Sequence, residues 1–242
     1  MGMQKHTLLQ GLQAMPGDGA LLVALGSLLE QQADWPALRE VMLEHLPRMP
    51  HGSPQQGQVV YLAAKACLEL ADHHQAVRLA TKAAALLPAF PYVHHILGRA
   101  LARMGRKQEA IEAQCRCADL EPGFAWCWFE IGTLKLELGD PAAARAALQR
   151  ALSQQQEQDP ESTTIIREAL SRAERACQWE EREQAARNLW PDRPIPRPEE
   201  RLPAVDHLAL ITEEFRLFLN SVEAGLNHSS PELSHQSLRQ RG

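Results

Sequence analysis

Apolar residues return along this chain at helical intervals. Few stretches alternate Val, Ile or Thr with polar residues as a strand would. One clear stripe is Ile166, Ala169, Leu170, Ala173, Ala176 and Cys177, whose other face carries Glu168/Arg172 and Glu183/Arg187 pairs at i,i+4. Another is Val205, Leu208, Ile211, Phe215, Phe218, Leu219 and Val222. The pattern also repeats: His94-x2-Leu97-Gly98 returns as Trp128-x2-Ile131-Gly132, and Met104-Gly105 returns as Leu138-Gly139, each about one 34-residue step later. A fixed period of that size in a helix-rich chain predicts stacked helix–turn–helix units.

The frame extends towards the N-terminus. Gly98 and Gly132 are matched by Ala64 and Gly26, and Pro122 by Pro88, Pro50 and Pro16. One longer step, between Pro50 and Pro88, accommodates a turn-rich insertion at His51-Gly52-Ser53-Pro54. Small residues (Gly98, Ala110 and Cys117; Gly132, Ala144 and Ala151) fall where paired helices are expected to touch. Gly105 and Gly139 supply helix stops, and Asp140-Pro141 is a helix-start signal.

These features resemble the tetratricopeptide repeat, with its pattern W-x2-L-G-x2-Y, then A-x3-F, then P. The four units read Leu22-x2-Leu25-Gly26, Leu38-x3-Met42, Pro50; Val60-x2-Ala63-Ala64, Ala76-x3-Ala80, Pro88; His94-x2-Leu97-Gly98, Ala110-x3-Gln114, Pro122; and Trp128-x2-Ile131-Gly132, Ala144-x3-Leu148, with Gln156 in place of the final Pro. The resemblance implies an all-α, TPR-like helical solenoid of antiparallel helix pairs. The expected division is a capping helix in 1–18, repeats at 19–56, 57–90, 91–124 and 125–158, and a capping helix in 159–189 opened by Asp159-Pro160. A proline-rich linker (190–203), an amphipathic accessory helix (204–226) and a disordered polar tail (227–242) follow.

Composition removes some functions. The net charge of −5 gives no electrostatic reason to bind nucleic acid. No run of 18 apolar residues suggests a membrane span, and no signal peptide or myristoylation pattern is read at the N-terminus. Five scattered cysteines (Cys67, Cys115, Cys117, Cys127, Cys177) suit a reduced, cytoplasmic setting better than a disulfide scaffold. Cys115-x-Cys117 points to nearly opposite sides of a helix, and Cys117 takes a packing position. The His73-His74 and His94-His95 pairs lack a third ligand at metal spacing, with His94 at the large core position. No nucleophile triad, phosphate loop or HExxH is present, so neither cofactor, metal nor catalysis is expected. Pro191-x2-Pro194 is read as linker rather than ligand.

In the resembled family, the first helix of each unit lines a concave groove through unit positions 2, 5, 9, 12 and 13. Here these are Gln58, Tyr61, Lys65, Leu68 and Glu69; Tyr92, His95, Arg99, Ala102 and Arg103; and Trp126, Phe129, Thr133, Leu136 and Glu137. The resemblance therefore implies a groove aromatic at one end and basic in the middle. Its partner-binding residues would be Tyr61, Lys65, Tyr92, His95, Arg99, Arg103, Trp126 and Phe129, although Trp126 and Phe129 could instead pack on the next unit. Neither the chaperone-tail clamp nor the asparagine ladder of sugar-transferring relatives is reproduced: position 6 holds Leu62, Ile96 and Glu130.

The expected function is a non-catalytic adaptor or scaffold binding a protein or peptide that is acidic or engages aromatic rings. The alternative is the targeting module of a glycosyltransferase, sulfotransferase or hydroxylase whose catalytic part lies elsewhere; the absence of a catalytic domain before the polar tail counts against it. The 204–226 stripe would dock on its own chain or mediate self-association.

Overall fold

The turns within the helix pairs are built by residues that recur once per repeat. Ala33, Ala71, Gly105 and Gly139 share one repeat position, and their φ angles are 50°, 60°, 74° and 76°. A left-handed residue stops a helix by turning the next N–H back onto the last turn. Accordingly Asp34 N donates to Leu29 O, Asp72 N to Cys67 O, Arg106 N to Leu101 O and Asp140 N to Lys135 O, at 2.9–3.0 Å. The same next residue opens the following helix. Asp34, Asp72 and Asp140 each accept a backbone N–H three residues on through Oδ1, at 3.3, 3.2 and 3.1 Å. Arg106 has no such bond.

The computed structural model describes residues 2–50, 52–155 and 160–189. Among them are the helices α1 (Gly2–Ala14), α2 (Gly19–Gln31), α3 (Trp35–His45), α4 (Gln56–Glu69), α5 (His73–Leu86), α6 (Pro91–Arg103), α7 (Lys107–Leu120), α8 (Ala125–Glu137), α9 (Pro141–Gln154) and α10 (Pro160–Leu189), and no strand. His51, Gln156, Asp159 and the segments expected to be a linker (190–203), an accessory helix (204–226) and a tail (227–242) lie outside the described residues. The chain divides into two compact units, the first ending at Cys177 and the second beginning at Gln178.

In the first unit the helices pack in sequence: α2 on α3, α4 on α5, α6 on α7 and α8 on α9, with α1 against α2. The first helices of the pairs also touch one another, α2 to α4, α4 to α6 and α6 to α8. They form one layer of a solenoid of helix pairs. Close approach within a pair depends on small residues. A Cβ at Gly98 would fall 2.6 Å from Gln114 Nε2, and one at Gly132 would fall 2.5 Å from Leu148 Cγ. Ala110, Cys117, Ala144 and Ala151 are fully buried, as the repeat frame requires. At the end of the array, Ala169 and Ala173 of α10 join Ala144 and Leu148 of α9 in one apolar cluster.

Candidate functional site

The layer of first helices is laced by ion pairs in series. Lys65 on α4 bonds Glu30 on α2. Arg99 on α6 reaches Glu69 on α4 at 3.1 Å and Glu130 on α8 at 4.0 Å. These side chains are only 24–29% exposed, so the pairs are less screened than surface pairs. The expectation of a basic middle is therefore corrected: carboxylates of neighbouring repeats neutralise Lys65 and Arg99. Burial raises the Glu130 carboxyl above its ordinary range, against the pull of Arg99 and Arg103. Arg103 is exposed.

Aromatic rings form a second series beside the charges. Tyr61 meets Phe90 at 5.3 Å between centroids, Phe90 meets Tyr92 at 5.2 Å, and Tyr92 meets Phe124 at 5.2 Å, all edge to face. His95 stands 5.1 Å from Phe124. The sequence reading missed Phe90 and Phe124. They are the N-cap residues of α6 and α8, one repeat apart, and that spacing was the available signal. Tyr92 is 38% exposed, whereas Tyr61 is half-buried and burial pushes its hydroxyl up to about 12.

Residues 91–124 and 127–158 match the model of the family described as tetratricopeptide repeat. The chain therefore carries tetratricopeptide repeats (TPRs) at these two stretches. Its fold is similar to that of MamA (TM-score 0.56, 21% identity, covering 62% of this chain and 85% of that one). It is also similar to MamA of Desulfovibrio magneticus RS-1 (TM-score 0.56, 19% identity, 64% and 85% covered). A third similar structure is YrrB, described as a TPR protein with an unusual peptide-binding site (TM-score 0.54, 15% identity, 64% and 77% covered).

Within the TPR frame, Gln114 occupies the position where the family has Phe, and it is fully buried. Its Oε1 lies 3.0 Å from His95 Nδ1, and its Nε2 donates to the His95 carbonyl at 3.2 Å. An amide oxygen only accepts, so Nδ1 carries the hydrogen. Burial pushes His95 down to about 4 despite the Gln114 bond, and Arg99 and Lys65 lower it further. His95 is thus a neutral, half-buried clamp at neutral pH.

The other expected contact residues divide by exposure. Tyr92 and Arg103 are exposed; Tyr61, Lys65, Arg99, Trp126 and Phe129 are half-buried. Trp126 meets Phe129 edge to face at 5.2 Å, and Phe129 packs against the α9–α10 cluster. Leu68, expected on the open face, is 5% exposed because it joins the apolar core that runs from α1 to α6. His94, expected in the core, is half-buried with Nε2 3.1 Å from the Pro88 carbonyl. Trp128, one repeat later, donates Nε1–H to the Pro122 carbonyl at 3.2 Å. The scattered cysteines form no disulfide scaffold, but Cys117 and Cys127 are joined in one disulfide, because the turn between α7 and α8 brings their Cα atoms to 6.4 Å. Cys67, Cys115 and Cys177 are free. Among the described residues no group of three His, Cys, Asp or Glu could hold a metal, and no helix is long and apolar enough to cross a membrane.

Proposed function

We propose that this TPR protein is a non-catalytic adaptor that binds a peptide or protein segment on the layer formed by α2, α4, α6 and α8. The row of rings from Tyr61 through Phe90 and Tyr92 to Phe124 carries the reading. It crosses two repeats, offers the exposed face of Tyr92, and runs beside charges that are already paired. Aromatic side chains give large contact area at low entropic cost, and they dominate many interfaces. The ligand would lay apolar or proline side chains on the rings, with an acidic group towards Arg103. Arg99 and Lys65 would shape the surface through their carboxylate partners rather than act as free cations. Peptides selected from a phage-displayed library on the wild-type protein should lose at least about tenfold in affinity for Tyr92→Ala. Arg103→Glu should weaken only the acidic ones. Selected peptides that bind Tyr92→Ala as tightly as wild type, with helical circular dichroism intact, would remove the ring row from this account.

A further inference from the structure

The turn joining α7 to α8 has an internal control in the turn joining α5 to α6, one repeat earlier. Their hydrogen bonds correspond residue for residue. Leu87 N donates to Ala83 O at 2.8 Å, and Glu121 N to Cys117 O at 2.9 Å. Phe90 N donates to Leu87 O at 3.1 Å, and Phe124 N to Glu121 O at 3.0 Å. Val93 N and Cys127 N donate to the Phe90 and Phe124 carbonyls at 3.3 and 3.1 Å. His94 and Trp128 then bind the Pro88 and Pro122 carbonyls. In the earlier turn the positions that face across the joint are Ala83 and Val93, both fully buried. In the later turn they are Cys117 and Cys127, fully buried and bonded to each other. One joint keeps its backbone without a covalent link; the other has the same backbone with one.

The surroundings say what such a link can do. It closes a ring over the exposed turn Glu121-Pro122-Gly123. His95 Nδ1 lies 4.0 Å from Cys127 Sγ, and its ring touches Phe124, so His95 stands between the link and the ring row. Cys115 is exposed and two residues along α7, hence on another side of that helix.

We propose that Cys117 and Cys127 are a reversible redox-modification site: a dithiol that a small disulfide oxidises to a staple between the third and fourth repeats, and that a dithiol reductant reopens. In the forward direction one cysteine thiolate attacks a sulfur of the oxidant R–S–S–R and releases RS⁻. The second cysteine thiolate then attacks the mixed disulfide and releases the other RS⁻. Two electrons pass from the protein to the oxidant, and the two thiol protons end on the two RSH formed. A dithiol reverses both steps and leaves as its own disulfide. His95 is neutral, so it places no cation beside either sulfur to favour a thiolate. Both cysteines are fully buried, so exchange waits on opening of the Glu121–Phe124 turn. Ala83 and Val93 hold the equivalent joint by packing alone, so the reduced protein keeps its fold. What changes is the freedom of the joint that spaces Tyr92 and His95 from Trp126 and Phe129. Formation of the staple itself depends on no ligand.

Alkylation and intact mass of the full chain test this directly. After oxidised glutathione, Cys117 and Cys127 should resist alkylation in denaturant and carry no glutathione, while Cys67 and Cys177 label and exposed Cys115 either labels or carries one glutathione; after dithiothreitol, all five should label. Peptide mapping should join 117 to 127. The oxidised form should melt roughly 5–10 °C above the reduced one, with slower amide exchange over 118–129. Cys117→Ala/Cys127→Val, which copies the earlier joint, should melt at one temperature in either reagent. If that variant fails to fold, the two redox states of the wild-type chain decide. Five labelled thiols after oxidation, a bond involving Cys115, or identical melting and exchange in both states would overturn the proposal.

Discussion

Where the fourth repeat packs Leu148 beneath Gly132, the third packs Gln114 beneath Gly98. Both side chains are fully buried. Leu148 needs only contact, and its neighbours Ala144, Ala169, Ala173 and Phe129 supply it. Gln114 brings an amide whose burial unpaired would cost about 1–3 kcal/mol. The third repeat offsets that with His95, at the unit position that Phe129 holds in the fourth. The two repeats share a backbone because each pair of positions is filled consistently, apolar with apolar or donor with acceptor. The repeat frame thus constrains the pair and not the single residue.

The largest test of this comparison is pH. Folded His95 holds its proton only below about 4, against 6.5 for the free side chain, because burial disfavours the imidazolium. As pH falls, the unfolded chain is protonated first. The contribution of His95 is therefore complete above pH 6.5 and is lost as pH falls towards 4, by at most about 3 kcal/mol. The double variant His95→Phe/Gln114→Leu copies the fourth repeat. Urea melts between pH 7 and 4.5 should show a shallower decline for it than for wild type; equal declines would mean that His95 does not titrate as its burial implies.

A smaller effect is expected from breaking the pair on one side. Gln114→Leu alone strands His95 Nδ1 and should cost about 1–3 kcal/mol at pH 7, and adding His95→Phe should recover most of that loss. A double variant no more stable than the single one would show that the third repeat is not interchangeable with the fourth.

The helix starts differ next. Asp140 caps α9, whereas Arg106 at the same unit position leaves α7 uncapped and pairs instead with Glu109 at 2.6 Å. Arg106→Asp should add about 1 kcal/mol and Asp140→Ala should remove about as much. Denaturant midpoints that move the same way in both variants would contradict this. The smallest change concerns the helix stops. Gly105 and Gly139 adopt positive φ freely, while Ala71 does so at 60° with its Cβ in the way. Ala71→Gly should raise the melting temperature by the equivalent of about 0.5–1 kcal/mol, since relief of the left-handed strain outweighs the added freedom of the unfolded chain. A lower melting temperature would mean that the alanine is not strained.

How much could be read in advance follows from the range of each interaction. The turns are local. Asp140-Pro141 and Gly139 state a stop and a start within three residues, and the structure carries both out. The apolar stripe Ile166, Ala169 and Ala173 of α10 is buried as its spacing implies. The candidate site was less legible. Arg99 looked like a free cation because its carboxylates, Glu69 and Glu130, lie 30 and 31 residues away, and only stacking of α4, α6 and α8 brings them within reach. His95 looked like a contact residue because nothing beside it in the chain announces Gln114, 19 residues on.

The period, the helix stops and starts, and the small residues that let paired helices touch are all written in the order of residues, because they depend on backbone conformation and side-chain volume within one unit. Which charges cancel, which rings line up and which two of the five cysteines meet is fixed by the stacking of the repeats. Those outcomes depend on side chains from successive repeats coming within about 3 to 6 Å, a distance set by how the units stack rather than by residues near in the chain.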